Sequence, residues 1–433
     1  MALPRITVTI KPSRTRGFAC PERMKRSKMD LVIRNGFVAD KRETMDIGIS
    51  DGRIVRLSPR IKDSGRIEID AEGGLTFPGF IDPHVHMDKC LLLGRIGRGK
   101  DFSTLDRMIS TMRELKRSFT TDDVRSRMIQ AARIAVSRGT LVTRTHVEAD
   151  PIVEFTCVEG ALAAREACRE IIDIQTIAFP QEGWIRNQDG SELESRPFIR
   201  EAIERGIDVA GGNVNRSVWD SDPEQQVDEL FALAKEKDVD IDMHLDNSDN
   251  AVAFTLPYVC QKTIDYGYQG RVTVAHIPSL SAVPDRVARR TIDRVKEAGI
   301  NVCVLSSRIR LTRVRELMEA GVNVTCGTDN MQDAFVGVGN GDLLEAMLLL
   351  AQVIRMGFDD ELEKIFELGT THAAKALRIN EDYGIEEGKK ADIVILEATS
   401  IPEAIRMQPP RRAVIKNGKV VVEHGHLVLN RPE

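Results

Sequence analysis

The chain reads as an α/β protein, a TIM (β/α)8 barrel with a small β-sandwich domain built from both chain ends. Three observations predict this. Through the middle of the sequence, short apolar runs alternate with amphipathic helical stretches, the pattern of parallel strands joined by crossover helices. Near both ends, apolar runs are separated by Asn-Gly or Asp-Gly, which supply the positive φ of tight hairpin turns. Finally, histidines fall at the ends of several central runs, on the side where a barrel gathers its strand-to-helix loops.

In chain order, residues 1–28 form a basic stretch carrying Arg5, Arg14, Arg16, Arg23, Lys25, Arg26 and Lys28. It lacks the apolar core and small-residue cleavage site of a secretory signal. It reads as a loosely held extension, or as sequence preceding a true start at Met24 or Met29. The small domain is expected over 29–77 and 379–433. Its first part holds Leu31-Val32-Ile33, Ile47-Gly48-Ile49 and Ile54-Val55, separated by Asn35-Gly36 and Asp51-Gly52. Its second part holds Asp392–Leu396, then Ala413-Val414-Ile415 and Val420-Val421-Val422 around Asn417-Gly418.

Between them, residues 78–378 should form the barrel, with eight strands ending near His86, His146, Pro180, Asn213, His244, His276, Ser306 and Asp329. Asp122 and Asp123 open a helix burying Val124, Met128, Ala132 and Ala135 and stopped by Gly139. Asp222 with Pro223 opens a second, burying Val227, Leu230, Phe231 and Ala234 at helical spacing. Pro284-Asp285 opens a third, ended by Gly299. A doubly wound open sheet is the competing architecture. It is less favoured because no Gly-x-Gly-x-x-Gly follows an early strand.

Composition narrows the function classes. With 433 residues, 42% hydrophobic and 29% charged, the chain is an ordinary globular one. A formal charge of -5 gives no reason to expect a nucleic acid or an anionic membrane as partner. No apolar run approaches membrane-spanning length. Seven scattered Cys without Cys-x-x-Cys read as reduced thiols of a cytoplasmic protein, with Cys303 and Cys326 buried in packing.

The chemistry starts at Asp82-Pro83-His84-Val85-His86. Residues two apart on a strand point to one side, so His84 and His86 aim two imidazoles at one point. With His244 and Asp329 at other strand ends they form an N3O set for one divalent ion, Zn2+ or Fe2+, with a position left for water. His276 ends the neighbouring strand. His146 reads either as a supporting residue or as a core histidine. Asp329 could instead cap the helix that follows, the less favoured reading. His372 reads as structural, and His424 and His426 as surface residues of the small domain.

These residues resemble the amidohydrolase superfamily, and within it the bacterial cytosine deaminase branch, from about Asp30 to Val420. Arg144-Thr145-His146-Val147 is similar to that family's second-strand motif. Ala178-Phe179-Pro180-Gln181-Glu182-Gly183 is similar to its third, and Asp382-Tyr383-Gly384-Ile385 to its return into the β-domain. The resemblance implies a metal-dependent deaminase or amidohydrolase acting on a C–N bond of a cyclic amidine-type heterocycle. His84, His86, His244 and Asp329 would hold the metal. Asp329 would act as base and His276 would orient the water or hold the substrate oxygen. Gln181 would read the ring edge. The fourth strand, Ile207 to Asn213, has no lysine to form a carbamate, which favours one metal over two.

The chain also departs from the deaminases. Their His-x-Asp-Glu after strand 5 is here His244-Leu245-Asp246-Asn247, and an amide positions without exchanging protons. Gly-His-Asp-Asp after strand 8 is Gly327-Thr328-Asp329-Asn330. The segment Ser306–Arg310 is shorter than in cytosine deaminases. His84-x-His86-x-x-Lys89 instead resembles the N-isopropylammelide amidohydrolases, which remove an amine from a triazine ring. There Lys89 would bind a substrate carbonyl or carboxylate; the plainer reading is a solvated charge or an ion pair with Asp88. A metal-binding homologue without turnover is a further alternative. The partner expected is a small N-heterocycle. A homo-oligomer stays open, and no stretch marks an interface.

Overall fold

The computed structural model describes residues 28–97, 99, 105–184, 194–215, 223–247, 254–306 and 311–428. Residues 1–27, Cys20 among them, Asp222 and the segment 307–310 lie outside the described residues.

Eight parallel strands follow one another around a barrel: β1 (Phe80–Val85), β2 (Thr140–Glu148), β3 (Asp173–Phe179), β4 (Val209–Val214), β5 (Asp240–Leu245), β6 (Val272–His276), β7 (Asn301–Leu305) and β8 (Val324–Gly327). Each pairs with the next in sequence, as right-handed βα units require. Closure between β8 and β1 is made past the strand ends. Asp329 N donates to His84 O (2.9 Å), and His86 N donates to Asp329 O (2.8 Å). Gly327 permits this approach, because a Cβ there would stand 2.7 Å from His84 O.

Helices fill the crossovers. The helix Thr121–Ser137 is capped by Thr120, whose side chain accepts from Asp123 N. Its buried stripe is Val124, Arg127, Met128, Ala131, Ala132 and Val136. Ala135, expected in that stripe, is only half-buried, because the stripe runs through Ala131 and Val136. The helices Pro223–Lys237 and Asp285–Glu297 begin as their prolines indicate, and the first buries Val227, Leu230, Phe231 and Ala234. His146 does not end its strand. β2 runs on to Glu148, which carries the chain into the buried residues described below.

The second unit takes residues 28–78 with Asp382–Ala404 and 409–428 of the described residues. It is one hydrogen-bonded sheet of nine strands. Leu75–Pro78 joins its halves, running parallel to Met29–Val38 and antiparallel to Ile393–Leu396. Ile33, Ile47, Ile49 and Ile54 share one core with Ile393, Ile395 and Ile415. Asn35, Asp51 and Asn417 adopt positive φ at its turns. Ile405–Gln408, which the sequence reading assigns to this domain, groups with the barrel unit. Gln408 Nε2 donates to Leu344 O (3.2 Å), and Arg406 pairs with Asp359 (2.7 Å). No helix among the described residues is long and apolar enough to cross a membrane.

Candidate metal centre and its flanking charge network

At the C-terminal mouth of the barrel, His84 on β1, His86 just past it, His244 on β5 and Asp329 past β8 come together. His84 Nε2 lies 3.2 Å from His244 Nε2. Asp329 Oδ1 lies 3.7 Å from both His84 Nε2 and His86 Nε2. Ligands held about 2.0–2.1 Å from a tetrahedral Zn2+ stand about 3.3–3.4 Å apart, so these separations suit one small divalent ion. The donor chemistry fits as well. Burial holds His86 and His244 well below the usual imidazole range, aided by the Lys89 charge for His86 and by His276 for His244. Both are therefore neutral rings with lone pairs to offer. All four residues are buried.

Backbone geometry positions the set. His276 (φ 73°) and Asp329 (φ 66°) both sit in the left-handed region that non-glycine residues rarely adopt, at the ends of their strands. Asp82, two residues before His84, accepts from His84 N (3.2 Å) and from Thr328 N (3.2 Å), tying β1 to the turn that carries Asp329. The His276 ring centroid is 4.5 Å from that of His244, nearly perpendicular to it.

His146, left open by the sequence, belongs to the cluster. Its ring centroid is 4.2 Å from that of His84 and 4.7 Å from those of His86 and His244. His84, His86, His146 and His244 offer ring nitrogens within 4.8 Å of one another, as do the donor atoms of His84, His276 and Asp329. His146 Nε2 lies 3.7 Å from Asp242 Oδ1, and Asp242 is in turn 3.3 Å from Arg144 Nη1. The Phe179 ring packs against His86, His146 and His244, with centroids 5.3, 5.0 and 4.5 Å away.

Lys89 and Gln181, separate candidates in the sequence, meet here. Lys89 Nζ donates to Gln181 Oε1 (3.0 Å) and to Glu148 Oε1 (2.9 Å), and stands 5.2 Å from the Phe179 centroid. Lys89 is fully buried, so the solvated-charge reading is wrong, and the carboxylate that binds it is Glu148. Asp88 instead accepts from Glu148 N (2.9 Å). Asn247 is half-buried at the end of β5, where its carbonyl accepts from Asn215 Nδ2 (3.5 Å). Asp246 caps the following helix, accepting from Thr255 N (2.6 Å) and Leu256 N (3.0 Å). His372 is structural, with Nδ1 3.0 Å from Val324 O, and His424 and His426 are exposed.

Sequence reasoning missed a second cluster. Lys116 Nζ contacts Glu148 (2.9 Å), Asp150 (2.6 Å) and Glu182 (2.7 Å), and Arg113 Nε donates to Glu182 (2.7 Å). Burial alone would raise the Glu148 carboxyl, but Lys116 and Lys89 outweigh it and hold it down at about 2. Burial likewise opposes the Lys89 charge, and Glu148 and Asp88 overcome that and raise its pKa. Glu148 follows His146 by two on one strand and shares its face, a signal that was readable. Lys116, a charge near a helix end, gives no such signal.

The comparisons agree with this geometry. The amidohydrolase family model matches residues 155–422. The chain is 36% identical to N-isopropylammelide isopropyl amidohydrolase of Pseudomonas sp. (strain ADP), over 91% of this chain and 97% of that protein. Among solved structures, 5-methylcytosine deaminase from Klebsiella pneumoniae, liganded with phosphonocytosine, superposes with a TM-score of 0.84 at 27% identity, covering 93% of this chain and 100% of that one. N-isopropylammelide isopropylaminohydrolase from Burkholderia multivorans superposes at 0.83 with 28% identity, covering 92% and 99%. The parallel barrel, the buried His/Asp cluster at its mouth and these likenesses agree: the chain belongs to the amidohydrolase family.

Proposed function

We propose that this chain hydrolyses a C–N bond on a small N-heterocycle, using one Zn2+ or Fe2+ held by His84, His86, His244 and Asp329. The observation that carries this is three donor separations in a buried group, 3.2 Å from His84 to His244 and 3.7 Å from Asp329 to each of His84 and His86. His146, whose Nε2 is 3.7 Å from Asp242 Oδ1, stands beside the set. The ion's chemistry there is Lewis acidity, which lowers the pKa of water from 15.7 towards about 7.

Asp329 accepts the proton of the attacking water and returns a proton to the departing nitrogen. His276, against His244, stabilises the charge that develops at the attacked carbon. Gln181 and Lys89 bind the ring edge. Asn247 orients without titrating, so proton traffic falls on Asp329 alone. That arrangement suits a leaving nitrogen that is already basic.

Release of a substituted amine rather than ammonia is the second reading. It is favoured by the 36% identity to an N-isopropylammelide hydrolase across nearly both chains and by Lys89 three residues past His86.

The test is metal analysis of the purified protein, then a screen of pyrimidines, triazines, pterins and creatinine-like rings with separate assays for ammonia and alkylamine. One ion per chain and chelator-sensitive release is the expected result. Turnover that survives both chelation and His244→Ala would overturn the proposal. Turnover seen only after Asn247→Glu would mark a binding protein.

A further inference from the structure

The loop that follows His86 is held at almost every residue. Met87 N donates to Thr145 Oγ1 on β2 (3.0 Å). Lys89 N donates to His86 O (3.1 Å), and the Cys90 thiol donates to the same carbonyl (3.2 Å). Leu91 then takes a positive φ of 61°. Beyond that turn the chain runs beside the loop that follows β8. Leu91 N donates to Met331 O and Leu93 N to Gln332 O, both at 2.9 Å. With His86 N on Asp329 O (2.8 Å), three backbone bonds lace the loop after His86 to the loop that carries Asp329.

The first two turns of the helix Thr121–Ser137 grip this loop at three points. Arg127 Nη1 donates to Asp88 O and to Cys90 O, the second at 3.2 Å. Asp123, one turn earlier, accepts from Arg127 Nε (3.1 Å) and Nη2 (2.9 Å), and it also pairs with Arg95 further along the loop. Asp123 is itself fixed at the helix start, where its N donates to Thr120 Oγ1 (3.2 Å). The Phe119 ring centroid lies 4.6 Å from the guanidinium carbon. Arg127 is buried. One edge of its guanidinium faces a carboxylate and the other faces two carbonyls, which stand two and four residues past His86. A planar fork of five donors can serve both edges at once, whereas an ammonium on a flexible stem cannot.

We propose that Arg127, oriented by Asp123, is a positioning residue for the metal centre. By fixing the Asp88 and Cys90 carbonyls it holds the His86 main chain, and through the laced loops it holds Asp329. The inference rests on the reading of His84, His86, His244 and Asp329 as the metal set. Asp329 Oδ1 stands 3.7 Å from Nε2 of both His84 and His86. Bonds of about 2.0–2.2 Å to a small ion tolerate little drift of either loop. Groups outside the ligand set that orient it typically change metal affinity about 10–100-fold.

The measurement is the rate at which Zn2+ leaves the loaded protein for excess chelator, together with the visible absorption of the Co2+-loaded protein, which reports ligand geometry. Arg127→Met should speed release by about tenfold to a hundredfold and shift the Co2+ bands. Arg127→Lys keeps the charge without the fork and should restore only part of the loss. Lys416→Met supplies the control. It too removes a buried cation, the partner of Asp392 at 2.7 Å in the small domain, and should leave release at the wild-type rate. Asp123→Asn leaves Arg127 in the chain without its charged partner and should move release in the same direction as Arg127→Met; it decides alone if Arg127→Met does not fold. Wild-type release with unchanged Co2+ bands in these two variants, or equal acceleration in Lys416→Met, would overturn the inference and leave the metal set intact. A wild type that takes up no stoichiometric ion would instead overturn the metal reading itself.

Discussion

The barrel mouth contains two buried polar clusters of opposite construction. One gathers like with like. His84, His86, His146 and His244 crowd their rings within 4.2 to 5.4 Å, with Asp329 3.7 Å from His84 and His86 and Asp242 3.7 Å from His146. Buried ring nitrogens within 4.8 Å of one another can hold a cation between them. The other cluster alternates. Lys89, Glu148, Lys116, Asp150, Glu182 and Arg113 place each charge beside its opposite, and nothing further is required. The second cluster balances its own charges, and Lys89 also joins it to Gln181. Burial alone does not mark a site; what marks it is burial that the surrounding protein leaves electrostatically incomplete.

This contrast can be broken by substitution, and the largest effect belongs to the incomplete cluster. Asp329→Ala or His244→Ala should abolish stoichiometric metal and lower turnover by at least about 10²–10⁴-fold, the range of general acid–base work alone. Elemental analysis and steady-state rates read this out, and loss of the ion should also lower the melting temperature. Retention of a full complement of metal in both variants would remove the basis for the four-residue set.

The charge-balanced cluster should behave in the opposite way. Lys116→Met leaves three buried carboxylates short of a cation and should cost about 3–5 kcal/mol of stability, without loss of metal from the molecules that remain folded. Denaturant unfolding measures it. The defect should shrink as pH falls, because protonating those carboxylates relieves their repulsion.

In the wild type the sign runs the other way. The Glu148 carboxyl is depressed from 4.5 to about 2, so its contribution is complete above pH 4.5 and is lost as pH falls towards 2. Acid titration of wild type and Lys116→Met in parallel should show the two stabilities converging as this contribution disappears. The smallest effect is expected at Asn247. Asn247→Ala removes at most one orienting hydrogen bond, about 0.5–1.5 kcal/mol, and should lower kcat/KM no more than about tenfold.

Much of this was legible beforehand. The period of the apolar runs marks each barrel strand, and His84, His86, His244, His276 and Asp329 stand at or just past the ends of theirs. Proline and capping residues locate the helix starts at Thr121, Pro223 and Asp285. What escaped was His146, two residues short of its strand end, and the true partner of Lys89. Asp88 is the neighbour in sequence, but the carboxylate at 2.9 Å comes from Glu148 on β2. The helix residue Lys116 resembles any solvated lysine until the fold buries it under three acids.

By itself the sequence determined the strand and helix periods, the caps, and which residue types could bind a cation. These follow from interactions between neighbours a few positions apart. Only the tertiary structure decided that Asp329 lies within 3.7 Å of both His84 and His86, that Lys89 meets Gln181, and that Lys116 is sealed inside. Each of those joins residues 32 to 245 positions apart in the chain, and no local pattern carries the distances that closure sets.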